Sequence, residues 1–269
     1  MLIERLADQG VVTPGNRRFV ERYELPRIRR IHGVIRSHSP ERKSLRVLNI
    51  GLLDGLVPSA LLLLDAHMTI TSTERPGADP VQATGPASLQ ATGRHDTARL
   101  DLTAGDQTLT GFDWVVCGEV LEHLPSPSLP QAMRNLRNAA DRVVITTPNL
   151  HALRYRVRHL LGVDFQQDPV SHSRMGLGHV SLLSARLLID LAADAGLVAT
   201  DLEFHSWTSN AQGSKQRALA LIARPVRSLA DDLVAAFRRD ERTTPSALFG
   251  ASFVPLRAGI AASRRLARN

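Results

Sequence analysis

The chain has 269 residues, 43% of them hydrophobic, and a formal net charge of +7, which suits one α/β domain with extensions. It contains no apolar run of the about 18 residues that a membrane-spanning helix needs, its first residues lack the pattern of a secretory signal, and its single cysteine, Cys117, excludes an internal disulfide. We therefore expect a cytoplasmic protein without a transmembrane helix.

From residue 45 onwards the sequence alternates between predicted strands and predicted helices. Short apolar or β-branched runs predict strands at residues 45–50, 68–73, 98–102, 112–117, 142–147, 198–204 and 218–223. Helical patterns occur at residues 56–64, 119–124, 131–140, 150–161 and 184–195. This alternation predicts an α/β fold with a doubly wound, mostly parallel, seven-stranded sheet. The last two strands are joined without a helix, which predicts that one strand is antiparallel.

The regions on either side of this alternation are predicted to be helical. Residues 1–43 form an N-terminal helical extension, in which Pro26 separates two apolar stripes. Residues 44–225 form the α/β domain, with an irregular basic insert at 149–180. Residues 226–269 form a basic helical tail. The tail has two alternative interpretations: it lies on an anionic membrane through its basic face, or it packs on the domain or on a second subunit.

The turn after the first strand has the pattern of a nucleotide-binding βα unit. Its glycines, Gly51 and Gly55, allow the backbone to approach a ligand, and the following helix begins with N–H donors. Glu74 ends the next strand, where an acid can bind the two hydroxyl groups of an adenosine ribose. The alternative for Glu74 is a solvated loop acid.

A second polar cluster follows the fourth predicted strand, in the sequence FDWVVCGEVLEHL. Glu119, Glu122 and His123 come directly after the apolar run. Polar groups at the carboxyl end of a parallel strand lie where open α/β sheets bind ligands. The alternative is that the two acids are first-turn residues of a helix, where negative charge is favoured.

With these motifs placed, the sequence resembles class I S-adenosylmethionine-dependent methyltransferases, of the group that includes ubiquinone-type and small-molecule O-methyltransferases. The resemblance rests on RVLNIGLLDG, TITSTE, ARLDL, FDWVVCGEVLEHLPSP, RVVITTPN and GHVSLLSARLLIDLAADAGL, which occur in the family's order. It implies a Rossmann-like methyltransferase fold, S-adenosylmethionine as the cofactor, and an acceptor pocket built by the insert at 149–180.

The resemblance also implies which segments contact the cofactor. The glycine turn would hold its methionine part, the end of the second strand its ribose, the residues after the third strand its adenine, and the end of the fourth strand the reacting methyl group. The implied cofactor-binding residues are Asn49, Gly51, Leu53, Gly55, Glu74, Asp101, Leu102, Gly118 and Glu119. Two of them depart from the family motif, because Asn49 replaces its acid and Leu53 its middle glycine.

The implied catalytic residues are His123, Glu122 and His179. The sulfonium is already a strong electrophile, so the enzyme supplies positioning and, for a hydroxyl acceptor, a base, for which histidine has a suitable pKa. The alternative for His123 is a structural histidine bonded to the backbone. The spacing of Glu119, Glu122 and His123 also resembles the metal cluster of small-RNA 2′-O-methyltransferases, which needs a further histidine, here His151 or His179. Because EVLEH also occurs in relatives without a metal, we predict no metal.

The sequence therefore predicts a methyltransferase that acts on an oxygen of a small-molecule, sugar or lipid-linked acceptor. The alternatives are a non-catalytic binding or scaffold protein with a degenerate cofactor turn, and an RNA methyltransferase. Arg154, Arg156 and Arg158 in the insert are either a solvated helix face or ligands for an acidic group of the acceptor. With 4% aromatic residues, the chain lacks the basic and aromatic pattern of single-strand binding, so nucleic acid is not the expected partner.

Overall fold

The computed structural model describes residues 1–51, 55–74, 92–105, 109–162, 179–205 and 230–240. The strands are β1 (Leu45–Ile50), β2 (Met68–Glu74), β3 (His95–Arg99), β4 (Phe112–Gly118), β5 (Ala140–Pro148), β6 (Leu197–His205) and β7 (Asp232–Arg239). The helices are α1 (Leu2–Asp8), α2 (Arg17–Phe19), α3 (Leu25–Ser37), α4 (Leu56–Leu64), α5 (Leu129–Ala139), α6 (Leu153–Leu160) and α7 (Ala185–Asp194). A π-helical segment (Val20–Glu24) joins α2 to α3, and 3₁₀ turns occur at Leu121–His123 and Ser126–Ser128.

The seven strands form one sheet in the order β3-β2-β1-β4-β5-β7-β6. All neighbouring strands are parallel except β7, which runs antiparallel to both β5 and β6. The predicted mostly parallel sheet with one antiparallel strand is confirmed. The strand order reverses between β1 and β4, and in open α/β sheets ligands bind at the carboxyl ends of the strands beside such a reversal.

The N-terminal helices form part of the hydrophobic core of the domain. Ile28, Ile31 and Ile35 on α3 are at most 1% exposed and belong to the same apolar cluster as β1, β2 and α4. A second cluster, on the other face of the sheet, includes side chains of α5 and α7. The predicted N-terminal extension is therefore helical and covers one face of the sheet.

Helix α3 runs from the carboxyl edge of the sheet to its amino edge. At the amino edge, the Nη1 atom of Arg142 donates to the carbonyl of His38 over 2.7 Å, and the indole of Trp114 donates to Ser39 Oγ over 3.0 Å. At the carboxyl edge, Arg27 forms an ion pair with Glu119, the residue that follows β4. The helix therefore places side chains at the edge where a ligand is expected.

The π-helical segment before α3 has a local cause. Pro26 lies in the first turn of α3, has no N–H, and its ring collides with the carbonyl four residues earlier in a regular α-helix. A π-turn widens the preceding helix and relieves this contact. The helical path therefore continues through Pro26, where the sequence predicted a break or a restart.

One predicted strand differs from the structure, and another is not tested by it. Strand β3 is His95–Arg99, not 98–102, because an edge strand needs fewer apolar residues, while Leu100 and Leu102 enter the core after the strand ends. The predicted strand at 218–223 lies outside the described residues.

The last strand of the sheet is β7, Asp232–Arg239, within the segment predicted to be a helical tail. That prediction is wrong for these eight residues. A short apolar run cannot be assigned to a strand or a buried helix by its periodicity alone. The sheet thus extends beyond residue 225, the predicted end of the domain.

The predicted helix 119–124 is a 3₁₀ turn, Leu121–His123. Glu119 has a φ of 54°, which is incompatible with an α-helix, and Pro125 lies only two residues beyond the turn. Helix α7 agrees with its prediction, since Ser184 Oγ accepts from the Leu187 N–H over 3.1 Å and Gly196 follows the helix with a φ of 78°. Among the described residues, none of the helices combines the length and apolarity needed to cross a bilayer.

Candidate functional site

The carboxyl ends of β1, β4 and β5 meet at one edge of the sheet, on both sides of the reversal in strand order. The β1–β4 register pairs Ile50 with Cys117, and the β4–β5 register pairs Gly118 with Thr146. The segments that follow β1 and β4 carry half of the residues assigned to the site from sequence. The structure therefore brings the β1 turn and the EVLEH segment to the same crevice.

Asn49, one of the two residues that depart from the family motif, stabilises the start of the turn after β1. Its Nδ2 donates to the Gly51 carbonyl over 2.7 Å and to Ser72 Oγ over 3.4 Å. The Gly51 N–H in turn donates to Thr73 Oγ1 over 3.2 Å. Gly51 and Gly55 have φ values of 85° and 72°, which a residue with a side chain rarely adopts. Asn49 acts here as a hydrogen-bond donor, which an ionised aspartate cannot do.

The structure describes the other predicted cofactor residues to different extents. Leu53 lies outside the described residues, and for Glu74 only the backbone is described, at the end of β2 in register with Arg99. The Asp101 carboxylate accepts from the N–H and the hydroxyl of Thr103, over 2.8 and 2.7 Å. Leu102 is 6% exposed and packs in the second apolar cluster. The contact of Asp101 and Leu102 with adenine stays a prediction.

Glu119 directly follows β4 and has an unusual backbone. Its φ of 54° is the only positive value at a residue other than glycine in the described part of the chain. Its N–H donates to the Thr146 carbonyl over 2.9 Å, which ties the turn to β5. Its Oε1 lies 3.1 Å from the Nη1 of Arg27, a side chain that is only 7% exposed. Glu119 is thus tied to β5 through its backbone, and its carboxylate forms an ion pair with Arg27 that is not aligned as a hydrogen bond.

Glu122 is a completely buried carboxyl group at the base of the crevice. Its Oε2 accepts from Thr147 Oγ1 over 3.3 Å, while its Oε1 has no hydrogen-bond partner among the described residues. Burial raises the pKa of Glu122 to about 7, although its own backbone N–H, the charges of His123 and Arg27, and the Thr147 hydroxyl all act to lower the pKa. Near neutral pH this carboxyl group is therefore divided between its protonated and ionised forms.

His123 and His179, which lie far apart in sequence, meet at this crevice. Their ring centroids are 4.9 Å apart, in an edge-to-face arrangement. The N–H groups of Val180 and Ser181 donate to the Glu122 carbonyl, over 2.8 and 3.0 Å, and so hold His179 against the EVLEH segment. The three predicted catalytic residues are therefore neighbours in the structure.

These three side chains also form a possible ligand set for a metal. One ligand atom from each of Glu122, His123 and His179 lies within 4.8 Å of the other two. Two imidazoles and a carboxylate suit several divalent ions. In contrast, Glu119 pairs with Arg27, and His151 is exposed. The absence of a metal stays a prediction.

The sequence analysis missed Arg27 as a residue of the site. It is one of several arginines in the N-terminal segment, and most of the others are partly or fully exposed. Arg27 precedes Ile31 by four positions and Val34 by seven, so it lies on the apolar stripe of α3. An arginine on a buried stripe requires an acidic partner, and this position was the available signal.

No family model and no curated protein matches the sequence. Solved structures with low sequence identity nevertheless share its fold. The cyclase SpnF is 16% identical, with a TM-score of 0.51 over 78% of this chain and 81% of that one. The magnesium protoporphyrin IX methyltransferase of Synechocystis, solved with S-adenosylhomocysteine, is 12% identical, with a TM-score of 0.52 over 80% of this chain and 83% of that one.

A third similar structure is the small RNA methyltransferase HEN1, which is 15% identical with a TM-score of 0.56. The match covers 81% of this chain but only 25% of that protein. Together these likenesses confirm the predicted Rossmann-like methyltransferase fold. Since one of these proteins is named as a cyclase, the fold by itself does not fix the reaction.

The buried carboxyl group predicts a pH-dependent effect of replacing Glu122 by glutamine. Because the folded-state pKa of Glu122 is raised to about 7, the folded state binds more protons than the unfolded state between pH about 4.3 and 7, and stability falls as the pH rises through this window. The Glu122→Gln variant lacks the titrating carboxyl group and therefore does not lose this stability. The free energy of unfolding of the variant minus that of wild type should thus increase by about 1–3 kcal/mol from pH 5 to pH 8. Urea denaturation across this range measures the difference.

The matched control for that series is Glu41→Gln, at an exposed glutamate, which should show no such trend. A constant difference in the free energy of unfolding between Glu122→Gln and wild type would contradict the buried, raised-pKa carboxyl group.

The predicted absence of a metal implies that adding EDTA leaves the wild-type unfolding curve unchanged.

Replacing Asn49 by aspartate tests whether this departure from the family motif is part of the turn. The new carboxylate would face the Gly51 carbonyl, which now accepts from Asn49, so we expect a loss of about 1–3 kcal/mol in the free energy of unfolding at pH 7. Asn138→Asp is the control, since Asn138 Oδ1 accepts from Arg137 over 3.3 Å and a carboxylate suits that contact. Equal stability of Asn49→Asp and wild type would show that the donor role of Asn49 is dispensable.

Proposed function

We propose that the protein is an S-adenosylmethionine-dependent methyltransferase that methylates an oxygen of a small-molecule, sugar or lipid-linked acceptor. The observation that carries the proposal is the meeting of Glu122, His123 and His179 in the crevice beside the β1 turn. In the resemblance stated above, this turn holds the cofactor and these residues face the acceptor. The turn proposed to hold the cofactor and the residues proposed to face the acceptor thus lie in one crevice.

The described residues fit the proposed cofactor. Asn49 stabilises the first described residues of the β1 turn, and Gly55, with its φ of 72°, leads directly into α4. A glycine turn that opens a helix is a common way to bring backbone N–H groups close to a ligand. When bound, S-adenosylmethionine supplies a methyl group on a sulfonium, which needs no further activation.

The residues of the chain have separate tasks in this proposal. His123 accepts the proton of the acceptor hydroxyl as the oxygen–methyl bond forms and the sulfur–methyl bond breaks. His179, packed against His123 at 4.9 Å, orients that ring. Glu122 lies buried beside both rings, where its ionised form would stabilise a protonated imidazole. His179 also belongs to the insert 149–180 that the sequence analysis assigned to the acceptor pocket.

The alternative of a non-catalytic binding or scaffold protein depends on the two departures in the β1 turn. Asn49 fits the start of the turn, because its amide donates a hydrogen bond to the Gly51 carbonyl. Leu53 lies outside the described residues. We therefore favour a cofactor-binding enzyme over a scaffold.

Calorimetric titration with S-adenosylmethionine and S-adenosylhomocysteine tests the cofactor. We expect saturable binding of both by the wild-type protein, and Glu74→Ala should weaken it by about 1–3 kcal/mol, because hydrogen bonds from the ribose to a carboxylate are lost. Glu41→Ala, an exposed acid before β1, should bind like wild type. Absence of binding by folded wild-type protein would move the assignment to the scaffold alternative.

Once a screen of hydroxyl acceptors has found turnover, the role of His123 can be measured. His123→Ala should lower kcat by about 10² or more if the imidazole is the base, with cofactor affinity little changed. His67→Ala, at an exposed histidine before β2, is the control. Unchanged turnover in His123→Ala would remove this residue from the base role.

A further inference from the structure

Arg27 occupies a position that the hydrophobic packing of α3 alone does not explain. It is 6% exposed and lies on the same helix as the fully packed Ile28 and Ile31. Burying a guanidinium is costly unless acidic groups and hydrogen bonds compensate it. Two carboxylates meet it: Glu24, within the π-helical segment, and Glu119, directly after β4.

Arg27 is only partly satisfied by these two partners. Its Nη2 donates to Glu24, and its Nη1 lies 3.1 Å from Glu119 Oε1. Its Nε has no hydrogen-bond acceptor among the described residues. A buried charge cluster kept only for stability could be replaced at little cost if all of its members together became apolar side chains of similar volume. We therefore expect the ion pair between Arg27 and Glu119 to have a role beyond stability.

Glu119 is held in a conformation that its own sequence does not favour. A φ of 54° at a glutamate is strained, and such strain persists where the surroundings over-determine the residue. Two contacts do so here: the N–H of Glu119 bonds to the Thr146 carbonyl over 2.9 Å, and Arg27 pairs with the carboxylate over 3.1 Å. The first is a hydrogen bond that fixes the backbone, and the second is an ion pair, without an aligned hydrogen bond at Oε1, that attracts the carboxylate towards α3.

The charge of Arg27 also acts on Glu122, on the acceptor side of the crevice. It acts to lower the pKa of Glu122, against the larger effect of burial. Arg27 therefore interacts with the two carboxyl groups that flank the turn after β4. The segment that carries it, α3, runs through the core and is held at its far end by Arg142 and Trp114.

We infer that Arg27 is a positioning residue of the cofactor site, which acts by holding the Glu119 carboxylate in place. This inference rests on the proposed function, in which Glu119 lines the cofactor beside the reacting methyl group. A carboxylate already held by Arg27 loses no side-chain freedom when the cofactor binds, and such pre-organisation increases affinity. The N-terminal helix thus contributes to cofactor affinity through a side chain that touches Glu119.

A double-mutant cycle on cofactor affinity tests the inference. Binding of S-adenosylmethionine and S-adenosylhomocysteine is measured by calorimetry for wild type, Arg27→Gln, Glu119→Gln and the double variant, with melting temperatures recorded in parallel. Arg27→Gln should weaken binding about tenfold in the wild-type background and less than about twofold in the Glu119→Gln background, because the contact it serves is already gone. Arg27→Lys, which keeps the charge, should recover part of the affinity.

The control is Arg30→Gln, which removes an ion pair between the same helix and Glu203 on β6; it should bind both ligands like wild type. If Arg27→Gln does not fold, Arg27→Lys takes its place in the cycle. Equal losses of cofactor affinity in both backgrounds, or a loss from Arg27→Gln no greater than that from Arg30→Gln, would overturn the positioning role of Arg27. Either result would leave the proposed function standing. If folded wild-type protein binds neither ligand, the proposed function fails and this inference fails with it.

Discussion

Covering the apolar face formed by β1, β2 and β4 is the constraint on which the rest of the structure depends. The N-terminal helices and α4 cover it, and Ile28, Ile31 and Ile35 become fully buried there. Each such side chain contributes about 1.5–3 kcal/mol when it leaves water. This packing sets the direction of α3 across the sheet. The direction in turn decides that Arg27 arrives at the carboxyl edge, next to the residue that follows β4.

The crevice shows how one fold combines a rigid frame with strained and buried polar groups. Glu119 has a positive φ, and Glu122 is a carboxyl group without exposure to solvent. Each costs stability, and each lies at the strand ends where the order of the sheet reverses. The cost is tolerated because the parallel strands around them are fixed by a continuous ladder from β3 to β5. The same edge thus holds both the least favourable residues and the proposed reaction.

Much of the fold could be predicted from sequence, because β1, β2, β4 and β5 are buried runs separated by turn residues and helices. The parts that could not be predicted depend on tertiary context. Strand β7 has no periodicity that separates it from a helix, and its identity follows from its place between β5 and β6. The meeting of His123 with His179 was implied by a resemblance, but its distance depends on backbone bonds to Glu122. Arg27 could be singled out only by noticing that it lies on an apolar stripe.

The position of β7 has a consequence for the order in which the protein is made. Among the described strands, β6 pairs with β7 alone, and β7 joins it to β5. Until residues 232–239 leave the ribosome, none of the other described strands pairs with β6 or with this edge of β5. Unpaired edges of this kind are sites of aggregation and of pairing with other chains. The sheet order therefore makes β7, late in the chain, the strand that covers both edges and completes the described sheet.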